Sequence, residues 1–214
     1  MELYIDSANI EQIAQVMPLG ILQGVTTNPT LIAKEKRDFQ TLIRNIAKLV
    51  DGKIWCQVTS TEAESMVNEA LEINSWAKNI VIKLPMGMEG LKAASILSRK
   101  GVETNMTLVY SVPQAVLAAK AGVSYVSPYV GRVDDTGWDG MSLIKEIVDV
   151  FQSLQVKTKV IAASIRGPQQ VIDALRTGVH AVTMPYQVLL SMVRNPMTDI
   201  GLEQFMTDWN NANM

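Results

Sequence analysis

Apolar and β-branched residues in this chain come in short runs, separated by longer stretches in which apolar positions recur every three or four residues. The runs read as strands: Leu3 to Asp6, Gln23 to Thr27, Lys53 to Thr59, Asn79 to Leu84, Glu103 to Val109, Ser124 to Tyr129, Lys159 to Ala163 and His180 to Met184. The stretches between them read as helices. Thr61 to Ala77 carries Met66, Val67, Ala70, Leu71 and Ile73 near a 3.6-residue period, and Gly87 to Arg99 carries Leu91, Ala94, Ile96 and Leu97. Strand and helix alternate from end to end, and no linker, low-complexity block or composition shift marks a second domain. Eight such units in 214 residues leave about 27 residues each, close to the minimum for a closed barrel and too many strands for a doubly wound sheet of this size. The predicted fold is a single α/β domain over residues 1–214, a (β/α)8 TIM barrel with an additional C-terminal helix. That helix, Thr198 to Met214, sets Leu202, Phe205, Met206 and Trp209 on one stripe, suited to covering its own barrel or a neighbouring subunit.

Composition narrows the partners. With 48% hydrophobic and 19% charged residues and a net charge of −2, the chain offers no electrostatic case for nucleic acid or an anionic membrane, which require clustered Lys and Arg. No run approaches 18 apolar residues, and the N-terminus lacks the features of a signal peptide. The lone Cys56 sits among strand residues, where a buried reduced thiol is expected. A cytoplasmic, soluble protein is expected. The single histidine, His180, leaves little room for a His-rich metal cage or a Ser/Cys-His triad, and its place at the start of a strand run assigns it a structural role at the inert end of the barrel.

Chemistry concentrates at the strand ends. TIM-barrel enzymes place their reacting groups at the C-terminal ends of the strands, and here Asp6, Thr26 to Asn28, Gln57 and Thr59, Lys83, Asn105 and Thr107, Tyr129 and Ser164 stand there. Lys83 follows Ile80-Val81-Ile82. Burial among such residues disfavours an ammonium, and the free amine is the form that attacks a ketone carbonyl. Asp6, Tyr129 and a water held by Gln57 and Thr107 are sited to move the protons that carbinolamine formation and C–C cleavage demand. An iminium is its own electron sink, so neither metal nor cofactor is required. Arg132 after the sixth strand, with Ser164, Arg166 and a helix N-terminus after the seventh, would cradle a phosphate.

The motifs Gly24-Val25-Thr26-Thr27-Asn28-Pro29, Ile82-Lys83-Leu84-Pro85, Thr104-Asn105-Met106-Thr107-Leu108, Ser127-Pro128-Tyr129-Val130-Gly131-Arg132 and Ala163-Ser164-Ile165-Arg166, following Asp6, span almost the whole chain. Together they resemble the transaldolase family, in the small branch that includes fructose-6-phosphate aldolase. The resemblance implies Lys83 as the Schiff-base lysine, Asp6 as an acid/base, Asn28 and Asn105 as ligands of the dihydroxyacetone hydroxyls, and Arg132, Ser164 and Arg166 as the phosphate site. It also implies a homo-oligomer, commonly a decamer of two pentamers, with the last helix on an adjacent subunit. Transaldolases typically carry Glu and Phe at the places of Gln57 and Tyr129, whereas the aldolase branch carries Gln and Tyr; Asn105 and Arg166 look transaldolase-like. The expectation is cleavage of fructose 6-phosphate to dihydroxyacetone and glyceraldehyde 3-phosphate. The alternative is transfer of the dihydroxyacetone unit from fructose 6-phosphate or sedoheptulose 7-phosphate to an aldose phosphate, a step of the pentose phosphate pathway.

Overall fold

All eight apolar runs form parallel strands in the computed structural model, which describes residues 1–212. They are β1 (Glu2–Asp6), β2 (Gly24–Thr26), β3 (Lys53–Gln57), β4 (Ile80–Pro85), β5 (Thr104–Val109), β6 (Tyr125–Pro128), β7 (Lys159–Ala162) and β8 (Ala181–Pro185). Each pairs with its neighbours in sequence order, and β8 closes on β1 from Glu2↔Ala181 to Asp6↔Pro185, so the sheet is a complete barrel without an edge. The helices are α1 (Ile10–Val16), α2 (Pro29–Lys34), α3 (Phe39–Ala47), α4 (Ala63–Asn74), α5 (Met88–Arg99), α6 (Val112–Lys120), α7 (Val130–Asp134), α8 (Gly140–Ser153), α9 (Pro168–Arg176), α10 (Tyr186–Val193) and α11 (Pro196–Ala212).

Several boundaries differ from the sequence pattern. The run expected to continue to Thr59 leaves the sheet after Gln57 because the Glu69 carboxylate captures the backbone N–H of Thr59 and of Ser60, each at 2.8 Å. Gly131 to Asp134, the segment after the sixth strand that carries Arg132, is part of the short helix α7, which the apolar pattern does not predict. Between β2 and β3 stand two helices, α2 and α3, started by Asn28 and Asp38, whose side chains accept from Leu31 N at 3.0 Å and Thr41 N at 2.8 Å. Helix α11 begins at Pro196, and residues 213 and 214 of the expected C-terminal helix lie outside the described residues. Its Leu202, Phe205, Met206 and Trp209 remain exposed, so the apolar stripe is not buried on its own barrel.

Two apolar assemblies hold the barrel. The larger lies between strands and helices and includes Ile5, Val25, Ile54, Ile82 and Val126 with the inner faces of the helices. The smaller lies inside the barrel: Tyr4, Trp55, Val81, Tyr125, Ile161 and Ala181. Trp55 is fully buried, with Tyr4 at 4.4 Å and Tyr125 edge-on at 5.4 Å between ring centroids. Below them Lys53 bonds Glu103 and the Tyr125 hydroxyl, and Lys159 bonds Glu2, at the N-terminal mouth. His180 sits at that same end, its Nδ1 accepting from Val160 N at 3.1 Å, and burial lowers its pKa. Cys56 faces the helix layer, its thiol pushed up to about 12 by burial.

Trp55 fills the centre of the inner plug, so Trp55→Ala should cost about 3–5 kcal/mol. A lowered midpoint in urea denaturation would report it, and a loss under about 1 kcal/mol would show that the plug does not support the barrel.

Candidate active site

Side chains on a strand alternate between its two faces, so residues two apart share a face. Each residue of the inner plug is therefore followed, two positions on, by a residue at the next level of the interior: Tyr4 by Asp6, Trp55 by Gln57, Val81 by Lys83, Tyr125 by Ser127, Ile161 by Ala163 and Ala181 by Thr183. All six of these later residues line one cavity of about 330 Å³. Thr26, Asn28, Asn105, Leu108, Tyr129, Arg132 and Ser164 complete it, with Pro29 and Thr30 at its side. The aromatic plug is its floor, and the strand C-termini are its walls.

Lys83 is buried on β4, and its Nζ donates to Thr27 O at 2.9 Å. Asp6 stands at the end of β1, where its Oδ1 accepts from Thr26 Oγ1 at 2.7 Å. Burial raises the Asp6 pKa and outweighs two lowering effects, the charge of Lys83 and the hydrogen bond from Thr26. Thr26 Oγ1 lies 2.6 Å from Thr183 Oγ1. On the opposite wall, Asn105 Nδ2 donates to Ser127 Oγ at 2.9 Å, and that hydroxyl returns a bond to Asn105 Oδ1 at 3.1 Å. Asn28 spends its Oδ1 on capping α2, which leaves its amide N–H groups for a ligand.

Thr107 does not line the cavity. It is fully buried behind the wall, with its hydroxyl 3.0 Å from the Tyr129 hydroxyl. Tyr129 is fixed further by Tyr110, edge-on at 5.8 Å, and by the Arg132 guanidinium 5.0 Å above its ring. Arg132 also donates to the Tyr110 hydroxyl at 3.3 Å. Two non-glycine residues on the rim, Leu108 and Ser164, take left-handed backbone at φ 58° and 60°. Leu108 does so where the β5–β6 register shifts between Met106 and Val109.

The two arginines expected to share a phosphate are placed differently. Arg132 lines the cavity and has no carboxylate partner among the described residues. Arg166 stands outside it, with both terminal nitrogens on the Asp135 carboxylate. That pairing holds the Asp135 carboxyl below its usual range. Gly131 lets the segment after β7 approach, since a Cβ there would stand 2.4 Å from the Ser164 carbonyl oxygen and 2.7 Å from Arg166 Nε. Thr59, also named from the sequence, is taken up by Glu69. Ser127, Ala163 and Thr183 were not anticipated, and the two-residue period counted on from Tyr125, Ile161 and Ala181 would have found them.

A closed (β/α)8 barrel with a buried lysine and a half-buried carboxylate at the C-terminal mouth defines the class, a barrel enzyme whose site is equipped for carbonyl chemistry. The chain belongs to the transaldolase/fructose-6-phosphate aldolase family, which it matches over residues 3–213. It is 53% identical to a "probable transaldolase" of Desulforudis audaxviator (strain MP104C), over 98% of this chain and 97% of that one. A "probable transaldolase" of Clostridium acetobutylicum is 50% identical over 99% of each chain. One from Thermoanaerobacter sp. (strain X514) is 47% identical over 100% of this chain and 99% of its own. Among solved structures, thiamine phosphate pyrophosphorylase from Pyrococcus furiosus superposes with a TM-score of 0.62 at 15% identity, over 89% of this chain and 93% of that one, a likeness of fold alone. The chain is thus an enzyme of transaldolase-type aldol chemistry. Among the described residues no group of His, Cys, Asp and Glu is arranged to hold a metal ion, and no helix is long and apolar enough to cross a membrane.

The raised pKa of Asp6 has a consequence for stability. A carboxyl whose folded pKa exceeds its unfolded value favours folding when protonated; that stability is full below about pH 3.8 and is lost as pH rises through the folded pKa. Asp6→Asn, always neutral, should therefore raise Tm at pH 7 by about 2–4 °C, the shift that about 1 kcal/mol produces in a chain of this size. It should give no gain near pH 3 while turnover collapses. Thermal melts at both pH values check this, and a fall in Tm at pH 7 would contradict it.

Proposed function

We propose that the protein is a fructose-6-phosphate aldolase that works through a Schiff base on Lys83. The observation that carries this reading is the Tyr129 phenol, held by Thr107 at the wall of the cavity that contains Lys83 and Asp6. Lys83 Nζ attacks C2 of fructose 6-phosphate, and loss of water from the carbinolamine leaves an iminium. Asp6 takes the proton of the C4 hydroxyl, the C3–C4 bond breaks, its electrons pass into the iminium to form an enamine, and glyceraldehyde 3-phosphate departs. The enamine is reprotonated at C3, and water restores the amine and frees dihydroxyacetone. Tyr129 and a water at Gln57 handle the protons of the carbinolamine steps, with Thr107 holding the phenol. Asn28 and Asn105 bind the dihydroxyacetone hydroxyls, while Arg132 and Ser164 take the phosphate with Arg166 behind them.

A second reading, transaldolase, is favoured by the names of the relatives and by Asn105 on the cavity wall. The two differ in what accepts the enamine, a proton or a second aldehyde. Fructose 6-phosphate alone should release glyceraldehyde 3-phosphate, and borohydride added during turnover should fix the sugar on Lys83, with both signals lost in Lys83→Ala. Turnover only when erythrose 4-phosphate is added would make the enzyme a transaldolase. Retained turnover in Lys83→Ala would remove the covalent mechanism altogether.

Tyr129→Phe removes the phenol and keeps the ring on which Arg132 rests. It should depress release of free dihydroxyacetone by about 10²-fold, the lower range for loss of a general acid or base, and depress transfer to an acceptor aldehyde less. Equal loss in both assays would remove the reason for preferring the aldolase.

A further inference from the structure

We infer that Thr183 is a positioning residue for Asp6, acting through Thr26 and resting on the reading of Asp6 as the proton carrier. The Thr26 hydroxyl stands between two oxygens, 2.7 Å from Asp6 Oδ1 and 2.6 Å from Thr183 Oγ1. A hydroxyl has one hydrogen, and an ionised carboxylate can only accept. Thr26 therefore gives its hydrogen to Asp6, and the second contact is satisfied only when Thr183 donates to Thr26. The three groups form a directed chain from β8 through β2 to β1. When Asp6 holds a proton the same chain can run in reverse, each group passing its hydrogen the other way, so the hydroxyls suit both states of the carboxyl.

The placement of the chain supports a role beyond packing. Thr183 and Thr26 are both buried and both line the reaction cavity. Thr183 lies two residues after the plug residue Ala181 and pairs in register with Tyr4, two residues before Asp6 on β1, so its hydroxyl meets Thr26 from below the carboxylate. The charged or titratable groups that share this cavity with Asp6 are Lys83 from β4, Tyr129 at the end of β6 and Arg132 from α7; Gln57 and Asn105 are neutral, and Cys56 lies behind β3. Thr26 is the hydrogen-bond donor to the Asp6 carboxylate among these residues, and its bond opposes the rise that burial imposes on Asp6. A Thr26 hydroxyl released from Thr183 can rotate away, which weakens that bond and leaves the carboxylate both less fixed and more basic.

Steady-state kinetics against pH with fructose 6-phosphate, together with Tm, tests this on Thr183→Val, Thr183→Ala and Thr183→Ser. Val and Ala should lower kcat by roughly tenfold, as loss of about one hydrogen bond does, and move the acid limb of the profile to higher pH. KM should stay within about twofold, since the proposed substrate contacts at Asn28, Asn105, Arg132 and Ser164 are kept. Ser, which keeps the hydroxyl, should restore both kcat and the limb. An acid limb that stays in place in Val and Ala, or a loss that Ser does not repair, would reduce Thr183 to a structural residue and overturn the inference. Should Val not fold, Ala carries the same comparison. Borohydride trapping on Lys83 separates the two levels: trapped sugar in every variant with an unmoved limb refutes only the role of Thr183, whereas no trapping in the unaltered enzyme refutes the Schiff-base reading beneath it.

Discussion

A β-strand returns a side chain to the same face every second residue, and in a closed barrel that period stacks one interior layer directly on another. The rest of this structure depends on that stacking. Tyr4, Trp55, Val81, Tyr125, Ile161 and Ala181 make a dry floor, and the residues two positions on present a carboxylate, an amide, an amine and hydroxyls above it. The floor excludes water from below, and the strand C-termini fix the backbone of every polar group it supports. A polar layer of this density could not be buried at the middle of the barrel, where each group would need a protein partner. At the open end the cavity leaves room for a substrate to become that partner.

The same burial creates a conflict that the local hydrogen bonds only partly relieve. Desolvation favours a neutral Asp6, whereas abstraction of a hydroxyl proton needs the carboxylate. Lys83 and Thr26 pull the other way without cancelling the effect of burial. The result is a carboxyl that accepts a proton more readily than an exposed one and is destabilising to the fold when charged. Sites that trade stability for reactivity in this way are common in enzymes. Lys83 faces the same cavity, and a backbone carbonyl, that of Thr27, accepts from its Nζ.

The barrel was legible because the strands are buried on both faces and announce themselves as continuous β-branched runs, such as Ile80-Val81-Ile82. Polar residues that interrupt or end those runs, Asp6, Lys83 and Asn105, were conspicuous for the same reason. Thr183 was not, since threonine is at home in a strand by propensity and His180-Ala-Val-Thr-Met reads as ordinary sheet. Ala163 carries no chemical signal at all. The short α7 escaped because its five residues include Gly131 and two valines, poor helix formers; what holds it is tertiary, the N–H groups of Val130 and Gly131 donating to Ala163 and Ser164 on the next unit. The position of Thr107 behind Tyr129, rather than at the cavity surface, follows from the register shift in β5, which no local pattern encodes.

The two arginines show why residue type and chain position do not by themselves define an anion site. Arg132 and Arg166 follow adjacent strands and are both largely solvent-facing. Arg166 spends its forked end on Asp135, and its backbone N–H bonds Gln170, whose amide in turn bonds Asp134. The tandem aspartates thus tie the loop after β7 to α7, and in doing so neutralise one of the two cations. Arg132 is held instead by neutral groups, the face of Tyr129 and the hydroxyl of Tyr110, which orient a guanidinium without cancelling its charge. Of the two guanidinium charges, the one left without a carboxylate partner among the described residues is therefore that of Arg132, on the side of the cavity where Tyr129 stands.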